Sequence, residues 1–552
     1  MNHPSRRALV GGALASLALP SVASAQPARA ATGPGGTVPS PPSLPARPNF
    51  VVVLADDLGW GELGCQGQRL IHTPNLDRLA AEGVRFEAAY SGAPLCAPSR
   101  SALLTGLHAG HGTVRENPEG GTQHSLTEAD LTFAELLQLA GYRTACIGKW
   151  GFGPETPGQP SHPNRRGFGS FLGYIEHRHA HQYYPSYLWD NGDRLDLDGT
   201  VYAPDLFLER AVEFVRDPAE RPFLLYFAST LPHSPSVVAG GAGRYQDEPW
   251  SGPNRRHAAQ VSRLDADVAT LVRALVDSGR ADRTVVLFTS DNGPHSEKGV
   301  TPELFRGSGP FRGDKRDLYE GGIRVPFLVW SPGLPARVES TPVASWDVLP
   351  TLADLAGVPV PARLDGRSLA GLLRGGPPPE RGYFVWNRPR KIQAIRRGRW
   401  KVIRFAPGIA GAGPGGRVEL YDLDADQGER TDLSARWPAF TRAMLGELDR
   451  AIGPDPRLPY GLRIDGDGER LTVTLHNGSA VTWHEVRLEL EPPQGERVRG
   501  PEVAGVPPGA AWSADFPPVT GGRVWATFRA QGRRHTFRRR IRLPSPERRA
   551  QR

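Results

Sequence analysis

The chain has 552 residues, 39% of them hydrophobic and 22% charged, which gives room for two or three domains and excludes a fibrous or mainly disordered protein. Its formal charge of +8 favours anionic ligands, but no recognition motif accompanies the charge, so nucleic acid is not expected as a partner. Three cysteines, Cys65, Cys96 and Cys146, are too few and too odd in number for a disulfide framework, which leaves one free to be chemically special.

At the N-terminus, SRRALVGGALASLALPSVASAQ sets two arginines before a short apolar run that ends on Ala23-Ser24-Ala25. This predicts a twin-arginine signal peptide over 1–25, export to the periplasm or beyond, and no stable membrane anchor. Residues 26–47, rich in Pro, Gly, Ala and Ser, read as a linker. NFVVVLA (49–55), FLLYFAS (223–229) and TVVLFTS (284–290) are continuous apolar runs, as expected of strands buried on both faces. Helices are predicted between them. One covers 74–83, with Pro near its first turn and Gly at its stop. A second covers 132–141, opened by a Thr132…Glu135 capping box. A third covers 258–278, from the helical spacing of Val261, Leu264, Val268, Leu271, Val272 and Leu275. The alternation predicts an α/β domain with a mainly parallel sheet over 48–375. After the Pro-rich GGPPPE, short strand-like pieces and a helix around 437–452 predict a small antiparallel α+β subdomain over 376–455. The alternating segments LTVTLHNGSA, HEVRLELEPP, RVWATFRAQG and HTFRRRIRLP predict an appended β-sandwich over 456–545.

In open α/β sheets, ligands bind beyond the C-terminal ends of the strands. Here the first strand runs into Asp56-Asp57, the third apolar run into Asp291-Asn292-Gly293, and the second on to His233. Adjacent aspartates in a strand face opposite ways, so both reach one ion only where the chain turns, for which Leu58-Gly59 is a candidate. Three carboxylates and an amide oxygen suit a hard cation, calcium first and magnesium second. In PLCAPSRSALLTG (94–106), Pro98 favours a helix start just beyond Cys96. Backbone N–H groups at such a start would favour an anion and depress the thiol's pKa.

CAPSRSALLTG closely resembles the sulfatase signature, in which Cys-x-Pro-x-Arg directs oxidation of the cysteine to formylglycine. NFVVVLADDLGWGELGCQG, TPNLDRLAAEGVRFEAAYS, AELLQLAGYRTACIGKWG, FTSDNG and GDKRDLYEGGIRVP are similar, in order, to further blocks of that family, over roughly 48–450. The resemblance implies the alkaline-phosphatase/sulfatase-like fold. It also implies a sulfuric ester hydrolase, arylsulfatase-like, in which Asp56, Asp57, Asp291 and Asn292 bind calcium with an oxygen of the modified Cys96. One hydroxyl of the hydrated formylglycine attacks sulfur; loss of the other's proton later expels sulfate. Arg100 and Lys149 would hold that diol, and His233 and Lys315 would bind sulfate oxygens and assist the leaving group. A formylglycine-generating maturation enzyme is an implied partner, and a small-molecule or carbohydrate sulfate ester the implied substrate. Many members carry His two residues after the motif lysine, whereas GKWGFG places Gly151 there. His179 and His181, in EHRHAHQYYP, are downstream imidazoles, and His181 is the favoured replacement.

Two other readings remain. A formylglycine-dependent phosphonate monoester or phosphodiester hydrolase would share the metal set and the Cys-x-Pro-x-Arg core, although Ser99 and EGGIRVP lean towards a sulfatase. A non-catalytic carbohydrate-binding protein could use Trp483, Trp512 and Trp525 of the sandwich, unless these form its core. The sequence leaves oligomeric state and natural substrate open.

Overall fold

The computed structural model describes residues 44–540 apart from 119–123, 157, 362–363, 410, 453–459, 467–469, 478–482, 508–509, 520–521 and 531–532. The predicted signal peptide and most of the predicted linker lie outside the described residues. Among those described, no helix is long and apolar enough to cross a membrane.

A ten-stranded sheet organises the first part of the chain. Its spatial order is Arg337–Glu339, Val84–Phe86, Phe327–Trp330, Thr284–Ser290, Asn49–Ala55, Phe223–Ala228, Arg143–Lys149, Ser170–Tyr174, Tyr187–Asp190 and Asp193–Asp196. Thr284–Ser290 through Ser170–Tyr174 run parallel. The apolar runs are continuous because both faces are covered. Phe50, Val52 and Leu54 join Leu224, Tyr226, Val285 and Leu287 in one core. Val51, Val53 and Ala55 join Leu225, Phe227, Val286 and Phe288 in the other. A side-chain period of two thus splits each strand between two hydrophobic cores. Two helices form within two residues of their expected bounds, at Pro74–Glu82 and Phe133–Leu139, whereas the third, Gly252–Asp277, starts six residues before the expected 258, capped by Ser251 with a proline in its first turn. The capping box is present: Glu135 N–H donates to Thr132 Oγ1 at 3.2 Å and Thr132 N–H to Glu135 Oε2 at 2.9 Å.

Four antiparallel strands, Phe384–Arg388, Ile392–Arg397, Trp400–Phe405 and Arg417–Asp422, make the small C-terminal sheet. One face packs on helix Pro438–Ala451 through Val385, Ile395, Val402, Leu420, Met444 and Leu448. The other packs on the main domain through Trp386, Ile403 and Tyr421 against Tyr90, Ile323 and Trp346. Two further antiparallel sheets follow, of three and four strands, sharing a core that includes Leu471, Val473, Leu475, Leu488 and Phe528. Trp483 belongs to that core, stacked on Phe528 at 4.1 Å between ring centroids. Trp525 is half-buried, its indole N–H donating to Glu491 at 2.7 Å.

Candidate active site

The parallel strands Thr284–Ser290, Asn49–Ala55, Phe223–Ala228 and Arg143–Lys149 end side by side, with Ala55 level with Ser290 and Leu54 with Ala228. Asp291 and Asp56 are therefore the first residues beyond two adjacent strands, Lys149 is the last residue of the fourth, and His233 sits in the loop after the third. Tyr183 pins that loop: its hydroxyl lies 2.7 Å from the carbonyl oxygens of both Thr230 and His233.

The turn that brings the two aspartates together is at Asp57 itself, not at Leu58-Gly59. Its φ of +68° lies in the left-handed region, and its N–H donates to Asp291 Oδ1 at 3.0 Å. Asn292 Nδ2 donates to Asp57 Oδ1 at 2.7 Å. Cys96 Sγ lies 3.8 Å from the same Asp57 oxygen. Ligand atoms of Asp56, Asp57, Cys96 and His233 fall within 4.8 Å of one another.

Each carboxylate has its own cation. Lys149 Nζ donates to Asp56 at 2.7 Å, Lys315 Nζ to Asp57 at 2.7 Å, and Arg100 Nε to Asp291 at 3.0 Å. Arg100 is fully buried and also donates through Nη1 to the Lys149 carbonyl at 2.9 Å. Burial pushes the Asp56 and Asp57 carboxyls up, but Lys149, His233 and Arg100 hold Asp56 well below the carboxylate range, and Lys315 holds Asp57 down. At Asp291, burial and Asp56 outweigh Arg100 and the carboxyl is raised.

Three buried polar atoms in this cluster have no hydrogen-bond partner: Asp56 Oδ1, Asn292 Oδ1 and Arg100 Nη2. Arg100 Nη2 is close to Asp291 (2.8 Å) and Asp56 (3.3 Å), yet is aligned for a hydrogen bond with neither. A carboxylate oxygen, an amide oxygen and a guanidinium N–H that make no hydrogen bond are a costly arrangement in a buried site, even with two of them ion-paired at 3.3 Å. They fit a hard cation for the oxygens and an anionic oxygen for the N–H.

Helix Cys96–Thr105 starts at Cys96 itself rather than beyond it. The expected depression of the thiol is reversed: burial pushes Cys96 well above its ordinary range, against the pull of Lys149 and Lys315.

His181 is no isolated surface residue. It closes a short 3-10 turn, His179–His181, and stacks on His233 with ring centroids 4.4 Å apart and planes 19° from parallel. Burial, then Lys149, brings its pKa down to about 4. His179 turns away to Glu155, at 3.0 Å. Two imidazoles not singled out from the sequence stand here as well. His177 lies 5.4 Å from His181 and His295 6.1 Å from His233, ring to ring. His177 shares the EHRHAHQYYP segment and His295 follows SDNG by one proline, so proximity to motif residues was their only sequence signal. Gly151 has φ +88°, a left-handed conformation that a residue with a side chain rarely adopts.

Paired carboxylates and cations around a buried cysteine at the strand ends define a centre built for an anionic substrate group. The sulfatase family model matches residues 48–358, and that for the C-terminal part of N-sulphoglucosamine sulphohydrolase matches 310–442. The chain is 36% identical to human arylsulfatase A over 70% of its own length and 83% of the relative's. It is 32% identical to mouse steryl-sulfatase, covering 76% and 82%. Among solved structures it resembles Ps i-CgsB in complex with k-i-k-neocarrahexaose, with a TM-score of 0.64 and 29% identity over 73% of this chain and 92% of that one. The chain belongs to the sulfatase family, and its activity is the hydrolysis of sulfate esters.

Proposed function

We propose that this sulfatase is exported and cleaves sulfate monoesters of small molecules or carbohydrates, using formylglycine made from Cys96 together with a calcium ion. The observation that carries the reading is the set of buried atoms that make no hydrogen bond, Asp56 Oδ1, Asn292 Oδ1 and Arg100 Nη2, in the cluster that contains Cys96. Asp56, Asp57, Asp291 and Asn292, with an oxygen at position 96, would hold the calcium. When bound, calcium would supply positive charge beside the sulfate, and hydrated formylglycine would supply a hydroxyl nucleophile from which sulfate can leave as the aldehyde re-forms.

The chain's own groups do the rest. Arg100 and Lys149 orient the residue 96 side chain. Lys315, whose Nζ lies 3.2 Å from His233 Nε2, binds sulfate oxygens with that histidine, and the pair deliver a proton to the departing alcohol oxygen. His181, neutral at working pH and one ring away from His233, takes a proton at the residue 96 side chain in place of the histidine missing at Gly151. The carbohydrate in the Ps i-CgsB complex supports a sugar as one substrate class.

The test joins mass spectrometry of the Cys96 peptide from the native host to metal analysis and a 4-nitrophenyl sulfate assay. An aldehyde in place of the thiol, stoichiometric calcium and chelator-sensitive hydrolysis are expected. An intact thiol in active protein would refute the formylglycine reading, and faster cleavage of an aryl phosphodiester would favour the phosphonate and phosphodiester class instead. In His181→Ala, one equivalent of alcohol should appear in a burst while sulfate release slows by about 100-fold or more, the usual worth of a general base. A slowed first turnover with no burst of alcohol would remove His181 from this role.

A further inference from the structure

Arg316 follows Lys315 and takes no part in the chemistry described above. Its backbone sits at φ +86°, where a residue with a side chain stays only if its surroundings hold it. Two hydrogen bonds do so. Its N–H donates to the Pro94 carbonyl at 2.9 Å, two residues ahead of Cys96, and its own carbonyl accepts from Arg388 Nη1 at 3.0 Å. The two neighbouring cations differ in their access to solvent. The Lys315 side chain is 4% exposed and faces Asp57, whereas that of Arg316 is 54% exposed.

One carboxylate oxygen joins the two. Glu297 Oε1 lies 3.1 Å from Lys315 Nζ and accepts from Arg316 Nη2 at 2.6 Å. Glu297 engages one N–H of the Arg316 guanidinium, and the half-exposed side chain leaves further donors accessible to solvent. Burial works against its charge, but Glu297 and, behind it, Asp57 keep that charge favoured, which places the guanidinium within the field of the site. A planar, always-charged donor fork at the rim, one carboxylate away from a sulfate-binding lysine, has the geometry for a second oxyanion.

We propose that Arg316 is a specificity-determining residue: it binds a second anionic group, carboxylate or sulfo, on the alcohol part of the substrate, so that the enzyme prefers esters carrying such a group. This rests on the reading that places Lys315 against the scissile sulfate. The measurement compares kcat/KM for 4-nitrophenyl sulfate with that for its ring-carboxylated and ring-sulfonated derivatives, in calcium-loaded, matured protein. The readout is the ratio of each derivative to the parent. The wild type should favour at least one derivative. In Arg316→Gln, and in Arg316→Gly, which suits the left-handed backbone and so guards against misfolding, that ratio should fall by about tenfold, as expected for loss of a hydrogen bond between charged groups. Added salt should lower the ratio in the wild type and leave it flat in the variants, since the contact is exposed. A wild type without preference for either derivative, or a ratio unchanged in both variants, overturns the proposal. A wild type inert on all three esters would instead strike the formylglycine and calcium reading, and the rim contact would fall with it.

Discussion

At the scale of single residues, backbone dihedrals decide which side chains the site can use. Asp56 and Asp57 would point apart in a regular strand, and φ +68° at Asp57 turns the second carboxylate back towards the first. Nothing in ADDLGW announces that an aspartate, rather than Leu58-Gly59, takes the turn. Gly151 is the converse. An added Cβ there would meet only Arg100 Cδ, at 3.7 Å, so space is available and the obstacle is the backbone at φ +88°. Restoring the family's histidine should therefore cost about 1–3 kcal/mol, the usual range for such strain. Urea unfolding of Gly151→His checks the stability. Sulfate release by the double variant Gly151→His/His181→Ala checks the chemistry, which should not recover. A fully stable variant that restores turnover would show the position to be freely exchangeable with His181.

At the scale of elements, legibility followed burial. The strands Asn49–Ala55, Phe223–Ala228 and Thr284–Ser290 were readable because cover on both faces makes every residue apolar. The ends of those strands then pointed to Asp56, Asp57, His233, Asp291 and Asn292. Val498–Val506 was not readable, since it contains Gly500 and Pro501; it lies at the edge of its sheet, where a missing N–H is tolerated. Helix Gly252–Asp277 was readable from its apolar stripe, but not the acid buried beside that stripe. Asp267 is 1% exposed; its Oδ1 accepts from Arg263 at 2.6 Å while its Oδ2 has no partner. Burial, only partly offset by Arg263, raises its pKa from 3.8 to about 7. The folded state therefore keeps a proton that the unfolded state gives up, so this residue's contribution is fully present below pH 3.8 and is lost as pH rises through 7. Asp267→Asn, which cannot ionise, should gain stability relative to the wild type across that window and hold the gain above it. Parallel stability curves for the two proteins from pH 4 to pH 8 would remove Asp267 as a buried, protonated acid.

At the scale of the whole molecule, the site is a charge ledger embedded in the sheet. Lys149 with Asp56, Lys315 with Asp57 and Arg100 with Asp291 cancel formally, so a divalent cation would leave a net positive centre that welcomes a sulfate monoester. The carboxylates and cations come from the ends of adjacent strands, from helix Cys96–Thr105 and, for Lys315, from the loop ahead of Glu320–Ile323, so whatever binds them ties together elements that carry the main core. A ligand that binds the folded chain alone stabilises it by mass action, by about 2.7 kcal/mol at a hundred times its dissociation constant. Calcium should therefore raise the melting temperature of the unmatured Cys96 protein, where no catalysis can occur, in a concentration-dependent manner that a chelator reverses. Magnesium should do less, because it demands a tighter octahedral set of ligands and gives up water reluctantly. Asp291→Asn should weaken the calcium response, since it removes one of the charges that neutralise the ion, while Asp267→Asn should leave that response intact. A melting temperature indifferent to millimolar calcium in the wild type would mean that Asp56 Oδ1 and Asn292 Oδ1 are satisfied in some other way and that the cluster is an ion-pair network without a cation.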